Sequence, residues 1–476
     1  MRVLASTLFA LLMIAFSGCG GSSTSTPTPP PPPPPSTANE WTWMSGSNTV
    51  NAIGVYGTLG VASAGNVPGA REDAVSWTDK SGNFWLFGGL GFDSIGGPNG
   101  WLNDLWEFNP TTKEWTWMSG SNNYNASGVY GTLGTPSTNN VPGARYGAVS
   151  WTDLSGNFWL FGGEGYNSAG TFGNLNDLWE FSPTTKEWTW VSGSNATGAI
   201  PVYGTQGVGS ANNTPGGREL AVSWTDSSGN FWLFGGEGAG NDFGDLWDFS
   251  PTTTEWTWVS GSDTPNAVGV YGTQGVASAN NVPGSRESAV SWLDSSGNLW
   301  LFGGLGLAST RPTTGYLNDL WEFSPATKEW TWVSGSETGG AVGVYGTLGV
   351  ASTTNVPGGR ESAVSWTDSS GNLWLFGGFD YDSETDPDTG TYGYLNDLWE
   401  FSPTTKKWTW MSGSNTANTS GVYGTQDVAS ASNVPGARAN SGTWTDSSGN
   451  LWLFGGEGYD SELSAGVLND LWRYEP

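Results

Sequence analysis

Three groups of side chains in this sequence have the types and spacing to do chemistry. Glu164, Glu237 and Glu457 each follow a Gly-Gly pair at related positions. Two carboxyls flanking a bound sugar can divide acid and base roles between them. Arg71, Arg145, Arg218, Arg286, Arg360 and Arg438 each stand 17 residues before the first Gly of such a pair. A ring of guanidinium groups would hold a carboxylate or another anion. The same arginines could instead pair with Asp104, Asp177, Asp245, Asp319, Asp397 and Asp470, because buried charge must be compensated. Finally, Asp380, Asp382, Glu384, Asp386 and Asp388 alternate through one stretch, and carboxylate oxygens at that density can hold calcium. No Gly stands where an EF-hand loop needs one, so a solvated acidic loop is the competing reading. Calcium is the one cofactor the sequence admits.

Composition removes other chemistry. The chain has no His, which excludes His-based triads and His metal sites. Its net charge of −28 argues against a nucleic-acid partner, which would require clustered Lys and Arg. Gly (74) and Pro (26) are abundant, yet 31 Trp, 20 Phe and 15 Tyr are far too many for a disordered chain. A turn-rich, aromatic-cored β protein follows.

The elements that must position these groups are repeated. Phe-Gly-Gly recurs at 87–89, 161–163, 234–236, 302–304, 376–378 and 454–456. Each repeat holds four short apolar runs bounded by Gly, Pro, Asn and Ser, which read as strands a, b, c and d. In the second repeat these are 148–151, 158–161, 177–181 and 188–191. The spacing from Arg to Gly-Gly and from the strand-c Asp to strand d is constant, and a 27-residue connection precedes every Arg. Only the b–c loop changes length. Every Trp except Trp101 falls at a repeated position, which assigns the others to core packing between sheets rather than to sugar stacking.

The hydrophobic run, the double glycine and an aromatic-x6-Trp pair (Phe108…Trp115, Phe181…Trp188, Phe249…Trp256, Phe323…Trp330, Phe401…Trp408) resemble the Kelch repeat. The resemblance covers residues 40–476 and implies an all-β Kelch-type β-propeller with one four-stranded antiparallel blade per repeat. The unit exceeds the usual length of about 50 residues, and the constant connection accounts for the excess. Six repeats imply six blades. The last repeat lacks strand d, while an orphan strand d, Glu40 to Gly46, opens the domain. Pairing that strand onto the last blade would close the ring and leave no open edge.

Ahead of the repeats, Met1-Arg2 and the apolar run Val3–Phe16 read as a signal peptide, residues 1–18. Phe16-Ser17-Gly18-Cys19 resembles the bacterial lipobox, which implies lipidation of Cys19; an ordinary secretory signal with an incidental Cys is the other reading. Residues 19–39 form a Ser/Thr/Pro-rich tether containing seven consecutive prolines, a semi-rigid polyproline II spacer. The expected location is the bacterial cell envelope, at the outer membrane or cell surface. The lipid anchor is the only expected membrane contact, and the expected state is a monomer.

In an antiparallel blade the a–b and c–d turns share one face, and the b–c loops and d–a connections share the other. The a–b and c–d turns are nearly identical in all repeats, whereas the b–c loops differ. Phe92, Trp101, Glu164, Tyr166, Glu237, Tyr381, Glu457 and Tyr459 in those loops are therefore the candidate binding residues. Aromatic planes beside carboxylates suit a glycan or protein ligand. The expected function is a non-catalytic binding or interaction module. The alternative is an envelope enzyme acting on a glycan or sugar acid, a carboxylate-based glycosidase or mutarotase; the resemblance extends to Kelch-like enzymes of that kind.

Overall fold

The computed structural model describes residues 38–97, 99–309, 314–381 and 392–476, with the backbone alone at Tyr381. Every regular element among them is a β-strand. In the second repeat, strands Val149–Thr152, Phe158–Phe161, Leu178–Ser182 and Glu187–Ser192 form one antiparallel sheet in the order a-b-c-d. Trp151 pairs with Trp159, Leu160 with Trp179, and Phe181 with Trp188. Among the described residues, four sheets have this order, and two five-stranded sheets contain it. In the last of these the d position is filled by Glu40–Ser45, with Trp41 opposite Tyr474 and Trp43 opposite Trp472. This all-β arrangement of small antiparallel sheets is of propeller type.

Burial follows from position in the sheet. All four residues of each strand b are buried, because strand b is covered on both faces by neighbouring sheets. Strand a alternates buried and half-buried residues, since one face lines a cavity of about 450 Å³ surrounded by the a strands of all six repeats. Successive sheets share their cores: Trp77, Trp85 and Phe87 pack with Phe158, Trp179 and Trp188. The first and last repeats do the same, with Phe84, Trp106 and Trp115 against Trp444, Trp452 and Phe454.

The indole N–H groups of strands a, b and c find partners by position, whereas those of the first strand-d Trp at Trp41, Trp115, Trp188, Trp330 and Trp408 have none. Trp77 donates to the Trp151 carbonyl of the next sheet, Trp85 to Asp79 of its own a–b turn, and Trp106 to Asp104. The double glycine has a steric cause. Gly88 and Gly89 have φ of +68° and +97°, and a Cβ on them would lie 2.8 Å from the Arg145 carbonyl and 2.5 Å from that of Glu72.

The 27-residue connections differ from expectation. Only their ends lie at the b–c face; the middle runs along the outer edge of strand d. Gly60 and Ser63 donate to the carbonyls of Trp117 and Trp115, and Val55 pairs with Val67 to make a short hairpin there. Strand d would otherwise present an open edge, and this hairpin covers it. The second strand-d Trp is correspondingly half-buried, not core: Trp43 packs edge-on against Tyr423 of the connection at 5.2 Å.

Candidate functional site

Beyond Gly-Gly, strand b continues as a short ribbon flanked by the residue after the Arg and by a residue just before strand c. The register is repeated in every unit: Glu72–Leu90–Trp101, Tyr146–Glu164–Asn174, Glu219–Glu237–Asp242, Glu287–Leu305–Tyr316, Glu361–Phe379–Tyr394 and Ala439–Glu457–Val467. One residue further in stand Asp73, Gly147, Leu220, Ser288, Ser362 and Asn440, all with positive φ. Each of their N–H groups donates to the carbonyl of its neighbour, from Asp73 to Asn440 (3.0 Å) around to Asn440 to Ser362 (2.9 Å). Positions that differ between otherwise near-identical repeats thus gather at one end of the sheets. We call this concavity the bowl.

The bowl is acidic. Burial, with repulsion from Glu164 and Glu237, pushes Glu219 up to about 8. Glu287 is also pushed to about 8 by burial and by Asp242 and Glu237. Burial and Glu457 raise Glu72 to about 7, burial raises Glu361 to about 7, and burial with Glu237 raises Asp242 to about 6. Asp73 is also raised, by burial and then by Glu72, Glu219, Glu361 and Glu457, which belong to four different repeats. The described lysines all lie at the opposite end, in a–b and c–d turns or at the adjoining strand start: Lys80, Lys113, Lys186, Lys328, Lys406 and Lys407.

Aromatic rings stand among the acids. Trp101 reaches into the second repeat, with its ring 6.0 Å from Tyr166 and 4.5 Å from Phe172. Around the bowl, Tyr316 lies 6.1 Å from Phe379, Phe379 5.1 Å from Tyr394, and Tyr394 6.1 Å from Tyr459. Phe172 and Tyr392 are 38% and 49% exposed, enough to offer a ring face to a ligand.

The structure sorts the sequence candidates. Glu164, Glu237 and Glu457 occupy one register position of the ribbons, and Phe92, Tyr166 and Tyr459 another two residues on. Trp101 joins Tyr166; Phe92 is half-buried and its backbone is tied to Ala70. The six arginines, by contrast, are buried and engaged. Arg145 donates to Asp177 through both terminal nitrogens (2.7 and 2.8 Å) and to the carbonyls of Gly143 and Gly162. Tyr130 of the connection and Trp179 donate to the same carboxylate. Identical networks hold Arg71, Arg218, Arg286, Arg360 and Arg438, so pairing with Asp, and not an anion ring, is the arrangement found.

Of the calcium candidates, Asp380 is fully buried and its charge acts on Arg360. Asp382, Glu384, Asp386 and Asp388 lie outside the described residues, as do the side chain of Tyr381 and Cys19. Sequence reasoning missed Glu72, Tyr146, Glu219, Glu287 and Glu361. The signal was available: they follow the repeated Arg directly, and a Glu in that place reads as scaffold until the ribbons are paired.

Neither a protein-family model nor a curated protein sequence matches the chain. The fold does match solved structures. One is the structure of YjhT, with a TM-score of 0.51 over 87% of this chain and 95% of that chain, at 14% identity. At that identity the likeness speaks for the fold alone.

Proposed function

We propose that residues 40–476 are a six-bladed Kelch-type propeller that binds ligands non-catalytically through the bowl. Six shared cores, including one between the last and first repeats, support a closed ring, as does the pairing of Glu40–Ser45 with Ala465–Glu475. The observation that carries the binding reading is where the repeats differ: packing dictates the recurring residues, while the variable ones share one concave surface. The ligand is a glycan or protein at the cell envelope. Residues 1–18 would direct export, Cys19 would carry the lipid, and residues 19–39 would hold the propeller away from the membrane.

Glycan and envelope-extract screens test this reading. Alanine at Trp101, Tyr166, Glu237 and Tyr459 should abolish capture without lowering the melting temperature, while Ser227→Ala in an a–b turn should leave capture intact. The reverse pattern would refute the assignment. Fractionation of cells carrying Cys19→Ala tests the anchor in the same preparation.

One observation favours an enzyme as the second reading. Carboxyls held protonated near neutral pH, such as Glu219 and Glu287, can act as general acids. A sugar acid is the least suitable substrate, since the six repeat arginines that could hold its carboxylate are engaged. Product formation from any screened glycan would establish turnover.

A further inference from the structure

Beneath the bowl, the axis narrows to a shaft of about 160 Å³, room for roughly five water molecules. Its wall is made of small side chains, Ala74, Ala148, Ala221, Ala289 and Ala363, and its rim carries Asp73. Above the rim, Glu219 is only 4% exposed, its Oε1 accepts from Asn174 at 3.3 Å, and its Oε2 has no hydrogen-bond partner. The Tyr146 hydroxyl approaches this carboxyl without completing a hydrogen bond to Oε2. A buried carboxyl oxygen without a hydrogen-bond partner is costly unless something supplies one. No cation among the described residues does so: the described lysines lie at the other end, and the six repeat arginines are paired with Asp. A compact metal ion does not fit either, because no three acidic side chains among the described residues converge to hold one. The carboxyls are spaced along the axis and around it instead.

We propose that the bowl and shaft receive a linear aliphatic polyamine, with one ammonium at Asp73, a second among Glu219, Glu164 and Glu237, and methylenes against the alanine wall. This deepens the binding reading above and rests on it. Ammonium groups donate three hydrogen bonds each and would fill the missing donor at Glu219. A flexible methylene chain can lie along the alanine wall of the shaft. The backbone ring at the rim strengthens the choice of a cation, since its six N–H groups are all engaged with carbonyls and none is left for an anion.

Isothermal titration calorimetry of the full chain with spermidine, at pH 7.5 and low salt, tests the proposal. Saturable binding is expected, weakened at least tenfold by Glu219→Gln and separately by Asp73→Asn. Both variants should melt no lower than the parent, because each replaces a carboxyl whose ionisation burial opposes. Glu114→Gln, on an outer strand, should bind as the parent does. Equal weakening by Glu114→Gln, or equal competition from magnesium at matched charge, would overturn the proposal in favour of diffuse attraction. Tighter binding of a lysine-rich peptide than of spermidine would overturn it in favour of a basic protein partner. Capture of a neutral oligosaccharide with no response to spermidine would also overturn it, yet leave the binding module standing. Only the absence of every ligand would remove both.

Discussion

Asp177 accepts hydrogen bonds from Arg145, whose guanidinium neutralises its buried charge, and from the neutral donors Tyr130 and Trp179. Replacing it by Ala strands a guanidinium in the core, which costs about 3–5 kcal/mol. Urea denaturation should show that loss, and an unchanged midpoint would contradict the charge argument. The bowl carboxyls behave oppositely. An unfolded Glu titrates near 4.5, whereas Glu219 and Glu287 hold their protons to about 8. Between those values the native state binds more protons than the unfolded chain, so stability falls as pH rises from about 4.5 to 8. Every tenfold gain in proton affinity on folding is worth roughly 1.4 kcal/mol, less where water reaches the group. Melting at low salt should therefore be higher at pH 5.5 than at 8.5, and Glu219→Gln with Glu287→Gln should flatten the slope. A melting temperature that climbs toward pH 8.5 would refute the assignment. The position of these carboxyls after the repeated Arg was legible in the sequence, but their raised proton affinity was not, because it comes from burial and from neighbours supplied by other repeats. The Arg–Asp partnership was legible as one of two options, since both residues recur at fixed spacing.

Strand Glu40–Ser45 is the element on which the proposed closure depends. Trp41 is 1% exposed and packs against Phe376, Trp472 and Tyr474 at 5.5, 6.4 and 5.0 Å, so it joins the last two sheets. Trp41→Ala should cost about 3–5 kcal/mol. Calorimetry should show a single transition shifted to lower temperature, and an unaltered transition after deletion of residues 40–45 would sink the closure. This strand was readable from sequence because Glu-Trp-Thr-Trp-Met-Ser-Gly occurs again at 114–120. The connection was not. Its Gly, Ser and Asn residues carry no strand period, and its course follows from bonds to the Trp115 and Trp117 carbonyls donated by the main chain of Gly60 and Ser63 and by the side chain of Asn66.

At the scale of the molecule, the described lysines are confined to the turn end, where they stand among the a–b turn carboxylates Asp79, Asp153, Asp226, Asp294, Asp368 and Asp446, and no described lysine stands among the bowl carboxyls. A net charge of −28 favours cations over anions as partners of the whole chain. The fold class was legible because repetition shows which residues are scaffold. The bowl was half legible, since variable loops marked Glu164, Glu237 and Glu457 but not the ring beside them. The N-terminal strand has a further consequence. It enters the fold at Glu40, opposite Glu475, at the end of the sheet away from the bowl. A pull transmitted from residue 38 against a ligand seated in the bowl would act along that strand. Its hydrogen bonds to the last strand lie across this direction and would be loaded together, in shear, instead of parting one after another. The domain would thus resist tension best along the line from residue 38 to the bowl.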